Sequence, residues 1–261
     1  MATTVPTTAG ELLFQNYLDA MDYPYEFEKE FPGKSKRPDY TVTKNGVFLF
    51  DVKDFDPYMP LGGGAYDPYP QIREKIRAGK KKFREFKEYP CSLVLKNNGH
   101  AFVHLDSVDI MLGSMYGNAG FTFPVDTKSG RAAGPMKRAF LGGGKMIRPT
   151  HHENTTISAL VTLRHVDVGM RQYHTMVKRY PHLDVEETLA AAAKEFPNFD
   201  IGEKQLGVIV WENAVARMPL SRELFTGPYD ERWGYEDGQQ SIAFRGEKLA
   251  GLSGDDENKV A

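Results

Sequence analysis

The run Arg37-Pro38-Asp39-Tyr40-Thr41-Val42-Thr43-Lys44-Asn45-Gly46-Val47-Phe48-Leu49-Phe50-Asp51-Val52-Lys53 decides how the rest of the chain is arranged. Two β-rich stretches, 40–43 and 47–52, flank Asn45-Gly46, the strongest short-range hairpin signal there is. Residues two apart in a strand share a face, so Asp51 and Lys53 point the same way. Asp39 joins them in only one of two registers. A two-residue Asn45-Gly46 turn pairs Tyr40 with Asp51 and sends Asp39 to the opposite face. A three-residue loop, Lys44-Asn45-Gly46 with Gly46 left-handed, pairs Asp39 with Asp51, Tyr40 with Phe50 and Val42 with Phe48. A slip of one residue flips every side chain. Only the second register gathers the polar trio on one face and Tyr40, Val42, Phe48, Phe50 and Val52 on the other, and it is the register expected.

Composition bounds the rest. With 261 residues the chain can bury a substantial core. A formal net charge of −2 argues against a uniformly basic, histone-like binder, so any nucleic-acid surface must be local. The single cysteine, Cys91, lies in the apolar run Cys91-Ser92-Leu93-Val94-Leu95 and reads as a small core residue. One cysteine forms no intramolecular disulfide and no zinc knuckle. The first residues lack a basic stretch followed by an apolar one, and no apolar run nears the ~20 residues of a membrane span. A cytoplasmic protein with no membrane partner is expected.

Two carboxylates opposite one another on neighbouring strands have Cβ atoms roughly 4.5–5.5 Å apart. Bridged by a hard divalent cation such as Mg²⁺ or Mn²⁺, they make a site with positions open for water and a phosphate oxygen. A lysine two residues along is placed to hold the attacking water or offset charge on phosphorus. Pro38-Asp39 followed by Asp51-Val52-Lys53 at the end of the next strand resembles the signature of the PD-(D/E)XK nuclease superfamily, also called restriction-endonuclease-like. The likeness covers roughly the first hundred residues well and the remainder loosely. It implies an α/β fold, a mixed central β-sheet flanked by helices (a restriction-endonuclease-like core), here with a long Gly-rich basic insertion. It implies metal-dependent hydrolysis of nucleic-acid phosphodiesters, with DNA as the expected partner and a homodimer left open. Asp39 and Asp51 would hold the metal and Lys53 would serve catalysis. A catalytically inactive nucleic-acid-binding module of the same fold, or another metal-dependent hydrolase, are the alternatives.

Around the hairpin, Thr8-x-x-Glu11 is a capping box that opens a helix carrying Leu12, Leu13, Tyr17, Leu18 and Met21 at helical spacing. Glu26 to Glu30 alternates like a half-exposed strand. Residues 54–70, with four prolines, are too punctuated for regular structure. Residues 71–88 read as one helix, basic on its open side, and 92–96 as a strand. Residues 113–149 are Gly-rich without clear periodicity, and no acid occurs between Asp126 and Glu153, whereas Lys128, Arg131, Lys137, Arg138, Lys145 and Arg148 do. Strands follow over 155–166 and 206–211, with a second capping box, Asp184-x-x-Glu187, opening a helix between them. A single domain is expected over 1–253, with core motifs in 8–97, the insertion at about 100–150, further core in 151–215, a surface-wrapping segment over 216–253 and a frayed tail over 254–261.

Glu11 carries two readings: a capping glutamate, or the acidic residue on the first helix that completes the metal site in many members of the superfamily. Gln71 opens the helix after the Asp-x-Lys strand, where several nuclease branches place a Gln or Lys near the scissile phosphate, and Arg73 and Lys75 follow it. With Lys137, Arg138 and Lys145 of the insertion, these form the expected nucleic-acid-binding set. Gly142-Gly143-Gly144-Lys145 is not a phosphate loop, because Ala139 and Met146 stand where that motif needs Gly and Ser or Thr. His151-His152-Glu153 lacks metal-ligand spacing, and Trp211-Glu212-Asn213 reads as a packed strand end.

Overall fold

The computed structural model describes residues 5–60, 62, 66–147, 151–236 and 239–250. The tail 254–261 and Arg148 lie outside the described residues. The hairpin takes the three-residue loop. Strand β2 (Tyr40–Thr43) pairs antiparallel with β3 (Val47–Phe55), with Tyr40 opposite Phe50, Val42 opposite Phe48 and Thr43 opposite Val47. Gly46 has a positive φ of 153°, and Asn45, at φ 51°, takes the left-handed helical conformation as well. Asparagine tolerates that region better than most residues.

The remaining elements are α1 (Ala9–Ala20), β1 (Tyr25–Phe27), α2 (Pro70–Phe83), β4 (Cys91–Asn97), α3 (Val108–Tyr116), β5 (Ala119–Thr122), β6 (Lys137–Phe140), β7 (Ile157–Asp167), α4 (Val168–Arg179), α5 (Val185–Glu195), β8 (Lys204–Glu212), β9 (Glu231–Glu236), β10 (Gln239–Arg245) and α6 (Glu247–Ala250). Eight strands form one mixed sheet in the order β1-β2-β3-β4-β7-β8-β9-β10, and β5-β6 is a separate hairpin. Strands β3, β4 and β7 run parallel, as do β8 and β9, and the other neighbours are antiparallel. No described helix is long and apolar enough to cross a membrane.

The sheet carries a core on each face. On one, Phe14, Tyr17 and Leu18 of α1 pack on Tyr40, Phe50, Val52, Val94, Val161 and Val210. Phe14, not Leu12, leads the buried stripe of α1, and Leu12 is exposed. On the other, Ile72, Ile76 and Phe83 of α2 and Met111, Leu112 and Met115 of α3 cover Leu49, Leu93, Leu95, Leu160 and Trp211. Burying this much apolar surface at about 25 cal/mol per Å² is the main source of stability. Cys91 is fully buried among these side chains, and burial pushes its thiol well above the ordinary value.

Three segments depart from the sequence expectation. The insertion holds the helix α3, which is buried at Met111 through Tyr116 and so offers no polar face for a 3.6-residue period to reveal. Helix α4 also lies outside the sequence expectation, and only Gly169 and Met176 of it are buried. The segment expected to wrap the surface supplies β9 and β10, and its Leu220, Leu224 and Phe225 enter the core. Its polar appearance comes from buried, fully engaged charges. Arg232 donates to Glu212 Oε1 (3.0 Å) and to the carbonyls of Ser221 and Leu224, and Asp230 accepts from Tyr17 Oη (2.5 Å) and the N–H of Val208 and Gly227.

Candidate active site

Asp39, just before β2, and Asp51, on β3, meet on the face of the sheet covered by α2. Their charges converge on one ammonium. Lys82, in the last turn of α2, donates to Asp39 Oδ1 at 2.5 Å and also to Asp51 Oδ1. Asp39 Oδ2 accepts from the backbone N–H of Val52 at 2.6 Å, which locks the carboxylate to the neighbouring strand. Lys53 Nζ lies 2.6 Å from Asp51 Oδ2, but not in hydrogen-bonding alignment, so this buried oxygen accepts no hydrogen bond. The Asp51 side chain is 0% exposed, against 26% for Lys53 and 21% for Lys82.

Burial, and then the charge of Asp51, raise the Asp39 carboxyl from its ordinary 3.8 to about 6, against the opposing pull of Lys82. For Lys82, burial works to lower the pKa, but Asp51 and Asp39 together outweigh it and hold the ammonium above the usual lysine value. Two carboxylates in so dry a place repel unless a cation sits between them.

Lys82 reaches the pair because α2 runs back antiparallel to β3. Lys75, near its start, lies over the Phe55 ring at 5.2 Å, and Lys82, near its end, comes down on Asp51. Gly79, one turn before Lys82, is buried against Leu93, and a Cβ there would overlap the leucine. Its absence lets α2 sit low enough on the sheet for the lysine to reach.

Above the carboxylates opens a cleft of about 490 Å³ lined by Lys36, Arg37, Asp51, Lys53, Ala78, Lys81 and Lys82. Five of these seven residues are cations. Lys36 is fixed by donating to the Lys81 carbonyl (3.2 Å), and Arg37 pairs with Glu30 (2.5 Å).

The other expected residues lie elsewhere. Glu11 completes its capping box: Thr8 Oγ1 accepts from Glu11 N (3.1 Å), while Glu11 Oε2 accepts from the N–H groups of Thr7 (2.8 Å) and Thr8 (3.0 Å). Its helix covers the Phe50–Val52 face, opposite Asp51, and is held there by Gly10 N donating to Asp54 Oδ2 (3.1 Å). Gln71 sits eleven residues from Lys82 at the far end of α2, about 16 Å along the axis. Arg73 is a structural strut: it donates to the Gly113 carbonyl (2.9 Å) and Asn118 Oδ1 (2.6 Å) and stacks over Tyr69. Lys137 and Arg138 belong to β6, opposite Thr122 and Phe121. The backbone N–H of Lys145 donates to Met115 O.

Sequence reading did not single out Lys82, Lys36 or Lys81. The signal for Lys82 was present. It lies three residues after Gly79 and flanks the buried stripe Ile72-Ile76-Gly79-Phe83, and seven residues, two turns, separate it from Lys75 on the same flank. Only the direction of the helix was missing.

A divalent cation fits the donor set in its chemistry. Hard carboxylate oxygens converge on a single cation position, and one buried oxygen, Asp51 Oδ2, has no hydrogen-bond donor. Magnesium is commonly held by one or two carboxylates with waters and substrate phosphates completing its shell. Among the described residues there is no group of three or more His, Cys, Asp and Glu side chains able to hold a metal, so the protein's share of such a shell is the two aspartates. Comparison of the chain with protein-family models, with curated proteins and with solved structures finds no match.

Proposed function

We propose that the protein is a metal-dependent nuclease with a restriction-endonuclease-like core, hydrolysing phosphodiester bonds of nucleic acid, in the first place DNA. The observation that carries this reading is a buried carboxylate pair bridged by one ammonium, on the floor of a cleft lined by five cations. Asp39 and Asp51 would hold Mg²⁺ or Mn²⁺, which supplies Lewis-acid activation of water and charge stabilisation at phosphorus. Lys53, on the edge of the pair and partly open to solvent, orients the water and offsets the charge that develops on the phosphoryl oxygens. Lys36, Arg37 and Lys81 line the rim and hold flanking phosphates, which positions the polynucleotide without reading its bases.

Lys82 favours a second reading. An ammonium that bridges both carboxylates satisfies them without metal, as expected of an inactive nucleic-acid-binding module of the same fold. Incubation with Mg²⁺ or Mn²⁺ and linear, branched and single-stranded DNA, and with RNA, separates the two. Cleavage by the parent that falls by orders of magnitude in Asp51→Asn, with the fold retained by circular dichroism, supports the nuclease. Metal-independent binding without cleavage supports the inactive module, and cleavage by Asp51→Asn at the parent's rate would falsify this site.

A further inference from the structure

A second charged cluster lies on the same face of the sheet. The register across the strands runs Lys53–Leu95–Thr162–Ile209–Glu231–Arg245, one residue per strand from β3 to β10. Four strand spacings set Glu231 about 19 Å from Lys53. Two guanidiniums lie against this one carboxylate, and a third residue of the same kind stands opposite it on the next strand. Arg164 donates to Glu231 Oε1 at 2.9 Å, and Trp233 Nε1 donates to Oε2 at 3.1 Å, so both oxygens are already engaged. Arg171, in the first turns of α4, is left at 3.6 Å from Oε1, too far for a hydrogen bond. Arg245 stands directly opposite Glu231 on β10, and among the described residues it pairs with no carboxylate.

The cluster therefore sets three positive charges around Glu231, and the other carboxylate in the field of Arg164, Asp230, is already engaged by Tyr17 and two backbone N–H groups. The Nε–H groups of Arg164 and Arg245 are buried with no acceptor, although buried donors are almost always paired. Burial and the neighbouring Arg164, and then Arg245, hold Arg171 below the usual arginine value in spite of Glu231. The Arg171 side chain is 43% exposed, so an anion reaches the cluster from solvent. Guanidinium forks match the oxygens of phosphate two at a time. A tetrahedral oxyanion with several acceptor oxygens can serve three forks at once, which the Glu231 carboxylate cannot.

We propose that Arg164, Arg171 and Arg245 form a phosphate-binding site. Resting on the nuclease reading above, the phosphate is one in the polynucleotide backbone, held about 19 Å from the carboxylate pair.

The test is calorimetric titration of the full chain with inorganic phosphate, which needs neither metal nor turnover. Arg171→Gln/Arg245→Gln leaves the more buried Arg164–Glu231 pair in place, and Arg179→Gln, at the far end of α4, removes a cation outside the cluster. The parent and Arg179→Gln should bind phosphate alike, and the double variant about tenfold or more weakly, the ratio that losing one charge-assisted hydrogen bond gives. No uptake by the parent, or equal uptake by the double variant, overturns the site. An oligonucleotide that displaces the phosphate from the parent identifies the backbone as its source. One that binds without displacing it overturns the backbone assignment, while a site for free phosphate stands on the titration. Absence of cleavage bears only on the carboxylate pair.

Discussion

At the scale of single residues, Lys82 takes the position between two carboxylates where a divalent ion would be held, and Asp39 makes that arrangement sensitive to pH. The folded state raises the Asp39 carboxyl from 3.8 to about 6, so it binds a proton more tightly than the unfolded chain does. The stability linked to this proton is fully present below about 3.8 and is lost as the pH rises through about 6. Asp39→Asn mimics the protonated acid and leaves Lys82 with Asp51 as partner. Without metal, it should therefore melt higher than the parent at pH 8, by an amount on the order of 1–3 kcal/mol, and the difference should shrink toward pH 4. Thermal melts at the two pH values check this, and equal melting at pH 8 contradicts it. The proposed metal binding would have the opposite dependence, since it would need Asp39 ionised and would gain as the pH rises through about 6.

At the scale of elements, the hairpin was legible because alternation and turn chemistry agree: one register alone places Tyr40, Val42, Phe48 and Phe50 in a core and Asp39 beside Asp51. The capping boxes at Thr8 and Asp184 were legible because each is a local exchange of hydrogen bonds within four residues. The direction of α2 was not. It is fixed by the parallel pairing of β3 with β4, a tertiary fact, and it decides whether Gln71 or Lys82 meets the aspartates. Helix α3 and strand β9 escaped for a related reason, since one is buried continuously from Met111 to Tyr116 and the other buries charges that look exposed in the sequence. Glu11 illustrates a local signal that is complete in itself. Its carboxylate closes the box and its helix covers the other face. Glu11→Gln should retain both melting temperature and Mg²⁺ dependence, and Glu11→Ala should cost on the order of 1 kcal/mol without shifting the Mg²⁺ midpoint. A raised midpoint in the Gln variant would return Glu11 to the metal.

At the scale of the whole molecule, a chain of net charge −2 concentrates cations where the carboxylate pair lies, and local potential rather than net charge governs encounter with a polyanion. If Lys36 and Lys81 each neutralise one phosphate, replacing either with Ala should reduce the slope of log affinity against log salt by about 0.9 for a duplex. Lys137→Ala should reduce the slope likewise if the β5-β6 hairpin, which is tied through Asn118 to Arg73 of α2, also contacts the backbone, and should leave it unchanged if it does not. Filter binding over a range of salt concentrations decides between them.

The sealed thiol of Cys91 has a practical consequence. The chain carries one sulfhydryl, and it is 0% exposed, with burial holding it protonated. Thiolate-seeking reagents therefore find nothing to modify on the folded protein. A cysteine introduced on the cleft rim, at the exposed Ala78 for instance, becomes a unique address for a maleimide dye. Occupancy of the cleft can then be followed by fluorescence in an otherwise unaltered background, with no need to remove a native cysteine first.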